Sequence, residues 1–181
     1  METANGPRKK KKTIRMIPQA RTPALEQDPK ERAKNFKEVN CGYRVEDAQL
    51  EAERCLMCPD QPCVRGCPVN IAIPDFIQKI TDRDSRGAYD VITASNLLPS
   101  VCGRVCPQEN QCEGVCTVGE SLEPVAIGRL ERWVGDLAIK EGWSNIPYIE
   151  PSGFRVGIVG SGPAGMARAA RMAQGRCGGT V

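Results

Sequence analysis

Four cysteines fall within one short stretch, Cys55-Leu-Met-Cys-Pro-Asp-Gln-Pro-Cys-Val-Arg-Gly-Cys67, and Pro68 follows directly. Pro59, Pro62, Gly66 and Pro68 punctuate the run, so it reads as a loop. A second run is spaced Cys102-x3-Cys106-x5-Cys112-x3-Cys116 and is again short-turned. Thiols this dense must serve a common purpose, and that purpose limits the fold around them.

Iron–sulfur clusters need several thiolates converging from short loops. A tight loop brings three sulfurs round one face of a compact cluster, and the fourth ligand comes from elsewhere. In the bacterial ferredoxin run, which ends in Cys-Pro, the last cysteine ligates the other cluster. By that logic Cys55, Cys58 and Cys63 hold one cluster and Cys67 crosses to a second. The second cluster draws on the later run, which returns one cysteine to the first.

Zinc is the main rival. Structural zinc favours two Cys-x2-Cys knuckles per site, and this chain has one, at Cys55/Cys58. Disulfides fail on compartment grounds. No apolar segment follows the basic run Arg8–Lys12 and Arg15, because Pro18, Arg21 and Pro23 interrupt it. The chain therefore reads as cytoplasmic, where thiols stay reduced. No apolar run is long enough to span a bilayer. Net charge is only +3, which leaves no nucleic-acid footprint, and the basic run reads as a solvated tail. The absence of histidine excludes every mechanism that needs an imidazole. Cys41 and Cys177 stand alone and read as buried or free thiols.

The rest of the chain divides into an extended basic tail over 1–24, a helical iron–sulfur domain over 25–141, a linker over 142–153 and an α/β segment over 154–181. Asp28 and Pro29 start a helix expected to run to about residue 39. Further helices are expected over 45–54, 74–83, 86–95 and 124–140. The apolar run Phe154–Val159 reads as a strand, and Met166–Gln174 as a helix.

One residue on the last long helix of the cysteine domain is out of place. With Ile127 at zero and an advance of roughly 100° per residue, Leu130, Val134, Leu137 and Ala138 cluster around it. Glu131 falls inside that apolar stripe. A buried carboxylate is costly unless paired or bound to metal, so Arg104, another cation or iron is expected beside it.

Taken together, CLMCPDQPCVRGCPVNIAIPDFI, LPSVCGRVCPQENQCEGVC, EPVAIGRLERWV and VGIVGSGPAGMA closely resemble, in order and distance, the N-terminal part of the small (β) subunit of NADPH-dependent glutamate synthase. The ferredoxin:NADP oxidoreductase large subunit and the N-terminal region of dihydropyrimidine dehydrogenase share the arrangement. The resemblance covers about residues 18–170. It implies a mainly α fold: an α-helical ferredoxin-like domain with two 4Fe–4S clusters, then FAD- and NADPH-binding Rossmann-type domains. It assigns Cys55, Cys58, Cys63 and Cys116 to one cluster, and Cys67, Cys106, Cys112 and Glu131 to the other. Cys102 becomes a non-ligand.

The same resemblance makes Gly160, Gly162, Ala164 and Gly165 part of an FAD site. Their context suits a pyrophosphate loop, with a strand before it and a helix after. The acidic ribose partner is expected about 20 residues further on, and the second strand is incomplete at Val181. The α/β segment is thus expected to be the first strand and helix of a truncated Rossmann domain. By itself it should be poorly ordered, hold FAD weakly and be inactive. The implied activity is electron transfer from NADPH through FAD and the clusters to a partner, the glutamate synthase large subunit or another acceptor protein. A ferredoxin:NADP oxidoreductase subunit and a zinc-stapled interaction module are the alternatives.

Overall fold

A computed structural model describes residues 17, 18, 20–145, 150, 152–174 and 178–180. The basic run and Cys177 lie outside the described residues. Asp28 caps the first helix, α1 (Pro29–Arg32): its carboxylate accepts from the backbone N–H of Lys30 at 2.8 Å. The helix stops well short of residue 39. Asn35 is the reason. Its side chain donates to the Glu31 carbonyl and to Gln27, and accepts from the Lys37 N–H, so the side chain replaces helical hydrogen bonds. The chain instead turns back, and Leu25–Glu26 (β1) pairs antiparallel with Asn40–Gly42 (β2).

Helix α2 (Val45–Ala52) delivers the chain to Cys55. The first cysteine run is not wholly loop, since Pro62–Arg65 forms a single helical turn, α3. Helix α4 (Ile73–Thr81) buries Ile73, Phe76, Ile77 and Ile80, the stripe expected from their spacing. Full burial of such side chains contributes about 1.5–3 kcal/mol each. Helix α5 (Ser85–Thr93) packs on α4. Helix α6 (Pro99–Val105) carries Cys102, which corrects the expectation of a short-turned second run; the remaining cysteines follow it among two 3-10 turns, Gln108–Asn110 and Thr117–Glu120.

Helix α7 (Ile127–Lys140) is the spine of this region. It packs most extensively on α6 and also touches α2 and α5. The α6–α7 crossing is close: a methyl group on Gly103 would come within 2.6 Å of the Arg132 backbone nitrogen. Beyond α7, Arg155–Gly157 (β3), Pro163–Gln174 (α8) and Gly178–Thr180 (β4) form a strand–helix–strand unit with parallel strands. The second strand therefore forms in register, further than the sequence led us to expect. No residue of α8 is buried, and Phe154 and Val159 are exposed. The described residues are mainly helical, and among them no helix is long and apolar enough to cross a membrane.

Candidate metal centre

The cysteine runs are locked together by backbone packing before any thiol is considered. Gly66 faces the later run so closely that a methyl there would lie 2.6 Å from Val115 Cγ2 and 3.0 Å from the Gln111 carbonyl oxygen. The neighbouring residue Cys67 is thereby carried toward Cys112. Two non-glycine residues of the first run, Met57 and Gln61, have φ of 52° and 43°. Such left-handed conformations cost about 1–3 kcal/mol each and persist where surrounding structure imposes them. Each lies between two cysteines, one between Cys55 and Cys58, the other between Cys58 and Cys63.

The thiols separate into two groups. Cys55, Cys58, Cys63 and Cys116 line one small cavity. Its other walls are mostly apolar, with Leu56, Ile73, Ile77, Val118 and Ile127 among them beside Thr117, and among the described residues no Lys or Arg lines it. Burial raises the Cys63 thiol to about 11, helped by Cys55 and Cys116 beside it. A thiol raised in this way is held as a thiolate more readily when a bound positive group offsets the burial. That donor set fits a soft, sulfur-seeking metal group. The Cys58 thiol lies 3.5 Å from Thr117 Oγ1.

A second set lies around Cys106 and Cys112, which share Cys67 and Glu131 as neighbours, with Cys102 beside Cys106. Burial raises Cys106 to about 11, with Cys102, Glu131 and Cys67 adding to it. Burial raises Cys112 to about 12, with Glu113, Cys67 and Glu131 adding to it. Glu131 is only 6% exposed, and burial pushes its carboxyl up to about 7. Its partner is not Arg104, contrary to the expectation from the helical wheel. Arg104 is engaged with Glu38 and Asp136 instead. The Asn96 amide donates to Glu131 Oε1 at 2.6 Å.

The register of Glu131 is set at the start of α7, by two carboxylates with no signal in the sequence pattern. Glu51 accepts from the Ala126 N–H at 2.8 Å, and Glu113 accepts from the Gly128 N–H at 3.0 Å. Both satisfy N–H groups that a helix start leaves unpaired and place negative charge at the positive end of the helix dipole. Ile127, at the first cavity, and Glu131, at the second group, are then one turn apart on a single rigid element.

The α/β segment carries the glycine loop where expected, between β3 and α8. Gly160 has φ of 107°, and a methyl on Gly165 would overlap the Gly160 carbonyl oxygen. Gly162 faces open space, and Ala164 lies in the first turn of α8. These features suit the close approach of a phosphate-bearing group to backbone N–H groups.

None of the nine described cysteines is in a disulfide. The Cys41 thiol is exposed and its backbone belongs to β2, away from both groups. Cys102 belongs beside the second group, but its thiol points to Asn96 Oδ1 at 3.5 Å.

Known proteins are similar to this chain in sequence. The chain is 38% identical over 146 residues to the glutamate synthase NADPH small chain of Halomonas elongata, covering 77% of this chain and 31% of that protein. It is 37% identical over 133 residues to the Escherichia coli glutamate synthase NADPH small chain, covering 73% and 28%. It is 40% identical over 116 residues to the NAD-dependent dihydropyrimidine dehydrogenase subunit PreT of Escherichia coli, covering 64% and 28%. The chain thus spans less than a third of the length of these relatives. The family model described as dihydropyrimidine dehydrogenase domain II, 4Fe-4S cluster, matches residues 32–143, most of the chain and both cysteine runs. On that match the chain belongs to the dihydropyrimidine dehydrogenase domain II 4Fe-4S family.

Proposed function

We propose that this chain is the electron-transfer portion of an NADPH-dependent iron–sulfur flavoprotein of the glutamate synthase small-subunit type, with two 4Fe–4S clusters. One cluster is held by Cys55, Cys58, Cys63 and Cys116. The other is held by Cys67, Cys106, Cys112 and Glu131. The observation that supports this reading best is the crossing of the two runs, in which Cys116 joins the first cavity and Cys67 leaves for the second group.

When bound, such clusters supply one-electron transfer, with potentials set by net charge, sulfur hydrogen bonds and exposure. The residues of this chain position and tune. The apolar wall of Ile73, Ile77, Val118 and Ile127 excludes water from the first site. Thr117 donates a hydrogen bond to the Cys58 sulfur once that sulfur is a thiolate. Glu131 places an oxygen donor in the second site. The loop Gly160, Gly162, Ala164 and Gly165 takes the pyrophosphate of FAD, with NADPH as the donor in the longer protein. The partner is a large subunit or another acceptor protein, reached from the cytoplasm.

Anaerobic reconstitution with iron and sulfide tests this. The expected product carries about eight irons per chain, as two clusters of four, and a broad visible band bleached by dithionite. A colourless protein that retains zinc would overturn it. The similarity to subunit PreT supports a second reading, in which the same domain serves an NAD-linked dihydropyrimidine dehydrogenase. Co-purification with a glutamate-forming or a pyrimidine-reducing partner separates the two.

A further inference from the structure

Asn96 lies between α5 and α6, is 8% exposed, and uses both ends of its side-chain amide. Oδ1 accepts from the Leu98 backbone N–H at 3.0 Å and from the Cys102 thiol at 3.5 Å. Because a backbone N–H only donates, the oxygen must face Leu98. The NH2 group therefore faces Glu131, and it donates to Oε1 at 2.6 Å. The amide cannot flip without placing two donors against each other on one side and two acceptors on the other.

The nearby cations are committed elsewhere. Arg104 binds Glu38 and Asp136, and Arg132 binds Asn40, Glu38 and Asp136. This matters for chemistry. A guanidinium on Glu131 would neutralise the carboxylate and compete with a metal for it, whereas a neutral amide orients the group and leaves its charge available. It also occupies one oxygen. Among the described residues, no hydrogen bond falls on Oε2.

We propose that Asn96 is a positioning residue for the second cluster: its amide, held in place by Leu98 and Cys102, turns Glu131 so that a single oxygen, Oε2, is offered to iron. This rests on the ligand set proposed above. It also gives a role to Cys102, which lies beside Cys106 and donates to Asn96. Cys102 acts as a donor to Asn96, so serine should replace it.

The test uses the full chain, reconstituted anaerobically, with iron and sulfide content and the electron paramagnetic resonance of the reduced protein as readouts. Signals are assigned with Cys67→Ala, which removes a ligand of the second cluster only. Asn96→Asp keeps the acceptor for Leu98 and loses the donor to Glu131; Asn96→Ala loses both. Glu131→Ala removes the ligand itself. Each Asn96 variant should lower bound iron toward half, or shift the second-cluster signal, with the first-cluster signal unchanged. Cys102→Ser should match the native protein.

If Glu131→Ala alters the second cluster while both Asn96 variants leave it intact, the positioning role is wrong and the ligand set stands. If Glu131→Ala leaves iron and both signals unchanged, the ligand set itself fails, and the positioning role with it. Loss of both clusters in both Asn96 variants also overturns the proposal, since Asn96 would then be supporting the fold.

Discussion

Glu51 and Arg54 lie one helical turn apart with no solvent exposure and are joined at 2.9 Å. Each also holds backbone from distant segments. Glu51 accepts from the N–H groups of Thr22 and Ala126, and Arg54 donates to the carbonyls of Pro18, Glu123 and Pro124. The pair ties the segment before β1, α2 and the start of α7 into one unit beside Cys55. Breaking a buried pair by removing one partner costs about 3–5 kcal/mol, because it strands the other charge. Arg54→Met should lower the denaturant midpoint accordingly. Replacing both residues with apolar ones should cost less than the sum of the single changes; full additivity in a double-mutant cycle would refute the coupling.

The crossing of the two cysteine runs predicts an exchange pattern. Cys67→Ala should remove the cluster shared with Cys106 and Cys112 and spare its neighbour, while Cys116→Ala should do the reverse. Iron content should fall by about half in each, from two clusters to one. Loss of the same signal in both variants would show that the wiring is wrong.

The Cys58 thiol donates to Thr117 Oγ1 at 3.5 Å, and the hydroxyl can donate in return once the sulfur is a ligand thiolate. Hydrogen bonds to cluster sulfurs favour the more negative, reduced state. Thr117→Val should therefore lower the potential of the first cluster. A differential of about 1 kcal/mol for one such bond corresponds to roughly 40 mV for one electron. A redox titration followed by electron paramagnetic resonance reads the shift, and the second cluster should not move.

Gly103 sits at the α6–α7 crossing against the backbone of Arg132. That contact is with backbone on a packed helix and has little room to yield. Gly103→Ala should destabilise the protein by about 1–3 kcal/mol and loosen the second thiol group, which both helices support. Thermal unfolding of the metal-free chain measures the first effect. Iron uptake measures the second.

Acid should weaken the cluster formed by Glu38, Arg104, Arg132 and Asp136. Hydrogen bonds from Arg104 hold Glu38 below its ordinary 4.5. Burial pushes Asp136 up, but hydrogen bonds from Arg104, Ser100 and Arg132 outweigh it and leave it below its ordinary 3.8. For carboxylates depressed in this way the unfolded chain binds protons first. Their contribution is complete above pH 4.5 and drains away as pH falls through 3.8 toward the lower folded values. Arg104→Met should flatten this acid limb between pH 5 and 3; an unchanged limb would show that the pairs are fully screened by solvent.

Several elements were legible because they depend on neighbours in the chain. The buried stripe of α4 follows from apolar residues at helical spacing, and the cap at Asp28 from side-chain reach. The anomaly of Glu131 was visible for the same reason, since a carboxylate in an apolar stripe shows on a helical wheel. Its partner was not visible. Asn96 lies 35 residues away, and nothing in its neighbourhood marks its amide as aimed at a distant helix.

Local pattern also misled where side chains compete with backbone. The helix expected to reach residue 39 ends early because Asn35 takes over its hydrogen bonds. Part of the second cysteine run is helical because α6 has α7 to pack against.

The spacing of the cysteines and the ending at Cys67-Pro68 by themselves determined that the thiols come in two dense runs, and they led to the proposal of two groups because a short loop cannot wrap all sides of one cluster. The residues read one by one left open which cysteine returns to the first group and what stands beside Glu131. Tertiary structure decided those points. Gly66 packs against the later run, and Glu51 and Glu113 set the start of α7. Those contacts join residues far apart in sequence, and only the packed chain brings them within reach.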